Sequence, residues 1–126
     1  MSHTASRKLH SAIEESLQIR DPGNAGAIVV QPSQAIQFLR LKSTAGSETR
    51  TLATPAGLTP GSKLFINYAV DGGTQVAITV ASAINLSNNT IMTFADAGAY
   101  CELTVIERGD GTLRWLVTVN AAVALS

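Results

Sequence analysis

The chain has 126 residues, 45% of them hydrophobic and only 14% charged, with nine Lys and Arg balancing nine Asp and Glu and a single cysteine. That length holds one domain with a modest core, the charge balance lacks the basic excess that draws in a nucleic-acid backbone or an anionic membrane surface, and one cysteine excludes an intrachain disulfide framework. No apolar run reaches the length of a membrane span, and residues 1–20 lack the apolar core of a secretory signal, so folding in a cytoplasm is the expectation.

Residues 1–26 read as an N-terminal arm, the most polar part of the chain, ending at Asp21-Pro22-Gly23-Asn24. Leu9, Ile13 and Leu17 are spaced by four, which places them on one stripe of a short helix over 7–19, with Arg7 and Lys8 at its start and Ser6 as its cap. A helix of this length is marginal alone in water and needs a surface to lie on. That surface is either a neighbouring molecule or the chain's own domain, the remaining alternative being a frayed terminus.

Residues 27–126 read as one β domain. A short apolar run over 27–30 ends at Gln31-Pro32, residues 36–42 are β-compatible, and residues 48–52 return after a turn at 43–47. Pro55, Gly57, Pro60 and Gly61 mark a loop. Leu64, Ile66, Tyr68 and Val70 then alternate with Phe65, Asn67 and Ala69, and Val76, Ile78 and Val80 alternate with Ala77 and Thr79. With Asp71-Gly72-Gly73 between them, these two runs predict a hairpin whose glycines accept positive φ. After a short strand at 90–94, Cys101, Leu103 and Val105 face Leu113, Trp115, Val117 and Val119 across Gly109-Asp110-Gly111, a second hairpin. These apolar positions are the candidate core. About seven to eight short antiparallel strands, with no helical pattern between them, predict an all-β sandwich or jelly-roll-like domain.

Reactive groups are sparse. His3 and His10 both fall in the arm, outside any scaffold that would position an imidazole for catalysis. Cys101 shares the core phase and has no zinc-ligand spacing around it. Asp71, Asp96 and Asp110 lie near glycines, where turn geometry accounts for them without calcium. Glu102, Glu107, Asp96 and Asp110 are the carboxylates available for acid/base work, and nothing in their spacing pairs any two. Trp115 is in core phase rather than displayed as a sugar platform, and Tyr100 is the aromatic left to face outward. The reading is a non-enzymatic domain with no catalytic residue, metal, cofactor or small-molecule substrate. Its low charge suits either a surface covered by protein partners or plain Thr/Ser-rich outer faces, since a free-standing domain usually carries about 25% charged residues.

As an ordered set of strands and turns, residues 50–120 resemble a small β domain of tailed-phage and cyanophage structural proteins, including head decoration (cement) proteins and tail-fibre modules. The resemblance lies in Arg50-Thr51-Leu52, the Pro/Gly loop, Lys63-Leu64-Phe65-Ile66, Asp71-Gly72-Gly73, Val76 to Val80, Thr90 to Phe94, Ala97-Gly98 and the strand bearing Trp115. It implies a capsid-exterior protein made in the host cytoplasm, a homotrimer that bridges major capsid protein subunits. The arm, with Leu9, Ile13, Leu17, Arg7 and Lys8, is then the candidate capsid or subunit contact. The alternative is a tail-fibre or receptor-binding module that recognises host glycans.

Overall fold

A computed structural model describes residues 18–85 and 88–126, so Leu9, Ile13, Leu17, Arg7, Lys8 and both histidines lie outside the described residues. The described chain is all β, with ten strands: β1 (Gln18–Ile19), β2 (Gly26–Ile28), β3 (Ile36–Ser43), β4 (Ser47–Leu52), β5 (Lys63–Asp71), β6 (Gln75–Val80), β7 (Ile91–Phe94), β8 (Tyr100–Glu107), β9 (Leu113–Ala121) and β10 (Val123–Leu125). They form two five-stranded mixed sheets: a front sheet in the order β1-β3-β5-β8-β9 and a back sheet in the order β10-β7-β6-β4-β2. Neither sheet closes into a barrel.

Period-two alternation decides which side of each sheet is buried. In β3, β4 and β6 every second residue is buried, and the inward rows of both sheets meet in one hydrophobic cluster. Leu64, Ile66, Tyr68, Val76, Ile78, Val80, Cys101, Leu103, Val105 and Trp115 are buried in it, Leu113 and Val117 pack against it half-buried, and Val70 and Val119, expected in the same inward rows, are turned outward by register shifts opposite Leu41/Lys42 and Glu102/Leu103. The Trp115 indole N–H donates to Ala53 O at 3.0 Å, tying the front sheet to the loop after β4. Gln37, also buried, bonds the backbone of Gln31 through both its amide oxygen and nitrogen and fastens the loop before β3.

The connectivity departs from the expected antiparallel, jelly-roll-like pattern. The chain alternates between sheets: β1, β3 and β5 lie parallel in the front sheet, and β2, β4 and β6 lie parallel in the back sheet. The first six strands are therefore three stacked turns of a parallel winding, each a front strand, an arch and a back strand. Antiparallel pairing begins only with β5–β8, β8–β9, β6–β7 and β7–β10. The hairpin expected between β5 and β6 is an arch between layers, and so is the turn between β3 and β4. Alternation marks the inward face of a strand but not the sheet it joins, so both topologies give the same pattern. The hairpin at Gly109-Asp110-Gly111 does pair β8 with β9, and both glycines there take positive φ, +83° and +85°.

One further expectation shifts. Gln18 and Ile19 are strand, not the end of a helix, and β1 and β2 bring residues 18–19 and 26–28 into the sheets. After β9, Ala122 adopts a positive φ of 64°, Asn120 clasps the Val123 backbone, and β10 folds back onto β7 with Val123 buried.

Gly72 and Gly73 are required for space rather than for φ. A Cβ at Gly73 would stand 2.3 Å from Gly46 O, and one at Gly72 would stand 2.4 Å from Ser43 O, because the β5–β6 arch lies directly on the β3–β4 arch. The stack is held by Gly72 N–H to Ser43 O and Thr74 N–H to Gly46 O. Gly73→Ala is therefore expected to destabilise the fold by about 1–3 kcal/mol in urea denaturation, the usual range for a group forced into occupied space. A solvent-facing hairpin turn would tolerate the extra methyl, so an unchanged midpoint would refute the stacked arches.

Candidate functional site

Two regions concentrate side-chain chemistry: a buried polar cluster inside the arches and the outer face of the front sheet. The cluster arises because Glu48 and Arg50 share the inward phase of Leu52 on β4. Arg50 is fully buried, its Nε 2.7 Å from Asp21 Oδ1 and its Nη2 3.0 Å from Glu48 Oε1. Its remaining guanidinium donors reach Lys42 O and Thr49 O. Asp21 also accepts the N–H groups of Lys42 and Gly23, and Glu48 accepts those of Thr44 and Ala45. Beside them the Tyr68 hydroxyl bonds Ser43 and donates to Asp71. The first two arches thus meet at Arg50, as a buried guanidinium requires, since an uncompensated charge in the interior costs several kcal/mol.

Burial raises the Asp21 carboxyl, but the bonds from Arg50, Lys42 and Gly23 and the Arg50 charge outweigh it and hold the group below 3.8. For Glu48 the Thr44 N–H is the leading cause of a value below 4.5, opposed by burial and supported by Ala45, Arg50 and the Thr44 hydroxyl. Burial acts to lower Arg50, and the two carboxylates more than reverse it. Every oxygen and nitrogen here is engaged in holding the chain together, which makes the cluster structural.

The front sheet's outer face is ordered by strand register. Gln18, Phe38, Phe65, Glu102 and Val119 form one rank across its five strands. Ile36, Lys63, Thr104 and Leu116 flank it on one side, and Arg40, Asn67, Tyr100 and Ala121 on the other. Phe38 stacks on Phe65 with centroids 4.9 Å apart, and Phe65 stacks on Tyr100 at 6.2 Å. Phe38, Ile36 and Val119 remain 40%, 42% and 45% exposed, a large share for apolar side chains on adjoining ranks. Glu102 is held by Thr118 Oγ1 and lies 3.5 Å from Lys63 Nζ, which itself donates to Thr104.

The chain's charge is sorted around this face. Seven Lys and Arg lie among the described residues, and five of them, Arg20, Arg40, Lys42, Lys63 and Arg114, stand on it or at its margin. Glu102 is its one carboxylate within the strands. Asp71 and Asp96 lie at the arch end, Glu107 and Asp110 at the hairpin end, and Asp21 and Glu48 are enclosed with Arg50. The back sheet's outer face is uncharged, with Thr49, Thr51, Ala77, Thr79 and Thr93 in register.

The sequence-derived candidates for chemistry are dispersed. Asp71 Oδ1 accepts from Tyr68 and Gly73, and Asp110 Oδ1 accepts the Thr112 N–H and hydroxyl, so both close turns. Cys101 is buried against Met92, and burial pushes its thiol up to about 12. Among the described residues no three His, Cys, Asp or Glu side chains come together as a metal site. No family model matches the chain, and no curated protein matches it.

The buried network makes stability acid-sensitive. Carboxylates lowered in the folded state stabilise it above their unfolded values, and this contribution is lost as pH falls through the folded ones. Thermal melts should be level from neutrality to about pH 5 and fall below about pH 4. Asp21→Asn should flatten that acid limb and lower the neutral-pH midpoint, and Arg50→Met, which strands two carboxylates, should cost about 3–5 kcal/mol. An acid limb identical in Asp21→Asn and wild type would remove Asp21 from the network.

Proposed function

We propose that the chain is a non-enzymatic virion structural protein, a decoration protein that binds the exterior of a major capsid protein shell and stabilises it. The observation that carries this reading is the outer face of the front sheet. A chain of this size gains by burying Ile36, Phe38 and Val119, and contiguous exposed apolar patches are a mark of protein interaction sites. The likeness of residues 50–120 to phage structural β domains supplies the class of partner, and the two-layered fold fits a sandwich domain of that kind. Assembly as a homotrimer accounts for the rest: three modest shell contacts linked in one particle raise avidity without any new contact. The uncharged back face is the surface suited to contacts between copies, because Thr and Ala bury at little desolvation cost. Synthesis in the host cytoplasm and residence on the capsid exterior follow from the same reading, with no cofactor or nucleic acid involved.

One observation favours the tail-fibre alternative. Phe38 is exposed on the same face as the half-buried Tyr100, and a glycan-recognising module displays aromatics. Their mutual stacking counts the other way, since a sugar packs on a free ring face and Phe65 has a ring on each side.

Purified protein is expected to co-sediment with shells assembled from the major capsid protein of the same virion, at hundreds of copies per particle, and to raise the temperature at which they disrupt. Deleting residues 1–17 should weaken that binding at an unchanged melting temperature. Failure to sediment with shells, or a handful of copies located on the tail, would reject the decoration reading.

A further inference from the structure

We infer that the outer face of the front sheet docks onto an acidic protein surface, with the Phe38–Phe65–Tyr100 stack, Ile36 and Val119 as its apolar centre and Arg40, Lys42 and Lys63 as its basic rim. This rests on the protein-binding reading above and adds where the contact lies and what chemistry it meets.

The overall charge balance hides a polarised surface. Arg40 and Lys63 stand on this face with Glu102 as its carboxylate, and Arg20, Lys42 and Arg114 stand toward its margins, where Asp71 and Glu107 end the strands, so cations outnumber carboxylates on it in a chain whose net charge is zero. Interfaces match potentials across the contact, so a basic rim around an apolar centre selects an acidic counterpart. A second copy presenting the same face would set Arg40, Lys42 and Lys63 against their own kind, and like charges brought into register destabilise. The ring geometry disfavours single-stranded nucleic acid. Bases bind β-sheet surfaces by stacking on free aromatic faces. Here Phe65, in the middle of the row, has Phe38 on one side and Tyr100 on the other, the Phe38 and Phe65 planes only 17° apart. The outer faces of Phe38 and Tyr100 and the ring edges are what remains, and protein side chains pack well against ring edges.

The test uses the full chain, an R40E/K42E variant, a T51E control on the back face, and two polyanion probes, poly-L-glutamate and poly-uridylate, followed by amide NMR shifts. Poly-L-glutamate should shift amides of β3, β5 and β8 around Phe38, Phe65 and Tyr100. The interaction should weaken with added salt, fall about tenfold or more in R40E/K42E and hold in T51E. Shifts elsewhere, an unaltered R40E/K42E titration, or tighter binding of poly-uridylate on this face would overturn the inference. So would a concentration-dependent rise in mass that R40E/K42E abolishes, which would assign the face to a second copy. Shell sedimentation separates the two readings. Wild type and R40E/K42E sedimenting equally would overturn the docking face and leave the decoration reading standing. Poly-L-glutamate binding here, without any sedimentation on shells, would support the acidic-partner face and end the decoration reading.

Discussion

Arg50 carries its charge where water does not reach, and the arch end of the fold is arranged to neutralise it. Asp21 comes from the first turn of the winding, and Glu48 from the second, whose arch supplies the N–H groups of Thr44 and Ala45 that hold the Glu48 carboxylate. Lys42, on β3, offers its carbonyl to Arg50 and its N–H to Asp21. The ion bonds therefore join the short first turn, β1 and β2, to the longer strands beneath. That first turn has little apolar area of its own: Ile28 is buried and Ile19 half-buried, whereas Val29 is 66% exposed. A pair of strands two and three residues long is held in register less by burial than by this fixed set of charge-assisted bonds, which are directional where apolar contact is not.

The glycines belong to the same end of the fold. Consecutive arches lie in contact along the backbone beside the Arg50 cluster, and Gly72 and Gly73 leave no side chain between them. Ser43 and Tyr68 continue the polar lining into the third turn, with the Gly72 N–H donating to the Ser43 hydroxyl. Packing and polar satisfaction thus select the same topology, as expected where local choices agree with the global fold.

Much of the buried half of the molecule was legible in the sequence, because period-two alternation reports inward positions whatever sheet a strand joins. The positions from Leu64 to Trp115 read as core are the ones that line the interface between the sheets, and the β8–β9 hairpin was marked by turn residues whose φ values require glycine. Topology was not legible in the same way. Asp71-Gly72-Gly73 has the composition of a hairpin turn, and only the backbone of the neighbouring arch, distant in sequence, makes it something else. Arg50 did leave a signal: in Glu48-Thr49-Arg50-Thr51-Leu52 both ionic residues share the phase of an inward leucine, which demands partners inside. The front face left a fainter one. Phe38 and Phe65 both fall in the outward phase of their strands, but that they adjoin depends on a parallel pairing across an intervening strand of the other sheet.

Charge followed the same rule. Equal counts of Lys and Arg against Asp and Glu argue against an electrostatic partner only if the charges are mixed over the surface, and a parallel winding does not mix them. Each turn returns to the same sheet, so outward residues at matching positions of β1, β3 and β5 fall on one face, and outward residues of β2, β4 and β6 fall on the other. Outward Arg and Lys on the front strands thereby accumulate beside Phe38 and Phe65, while outward Thr and Ala on the back strands build a neutral face. Of the described carboxylates, Glu102 stays on the front face and Glu48 and Asp21 are enclosed with Arg50, while Asp71, Asp96, Glu107 and Asp110 lie toward the ends. An isolated exposed charge has little effect on stability, but several charges of one sign gathered on one sheet face add to a field extending about 8–10 Å at physiological salt. The winding that needs Arg50 to hold it together is therefore also what gives a chain of zero net charge two unlike faces.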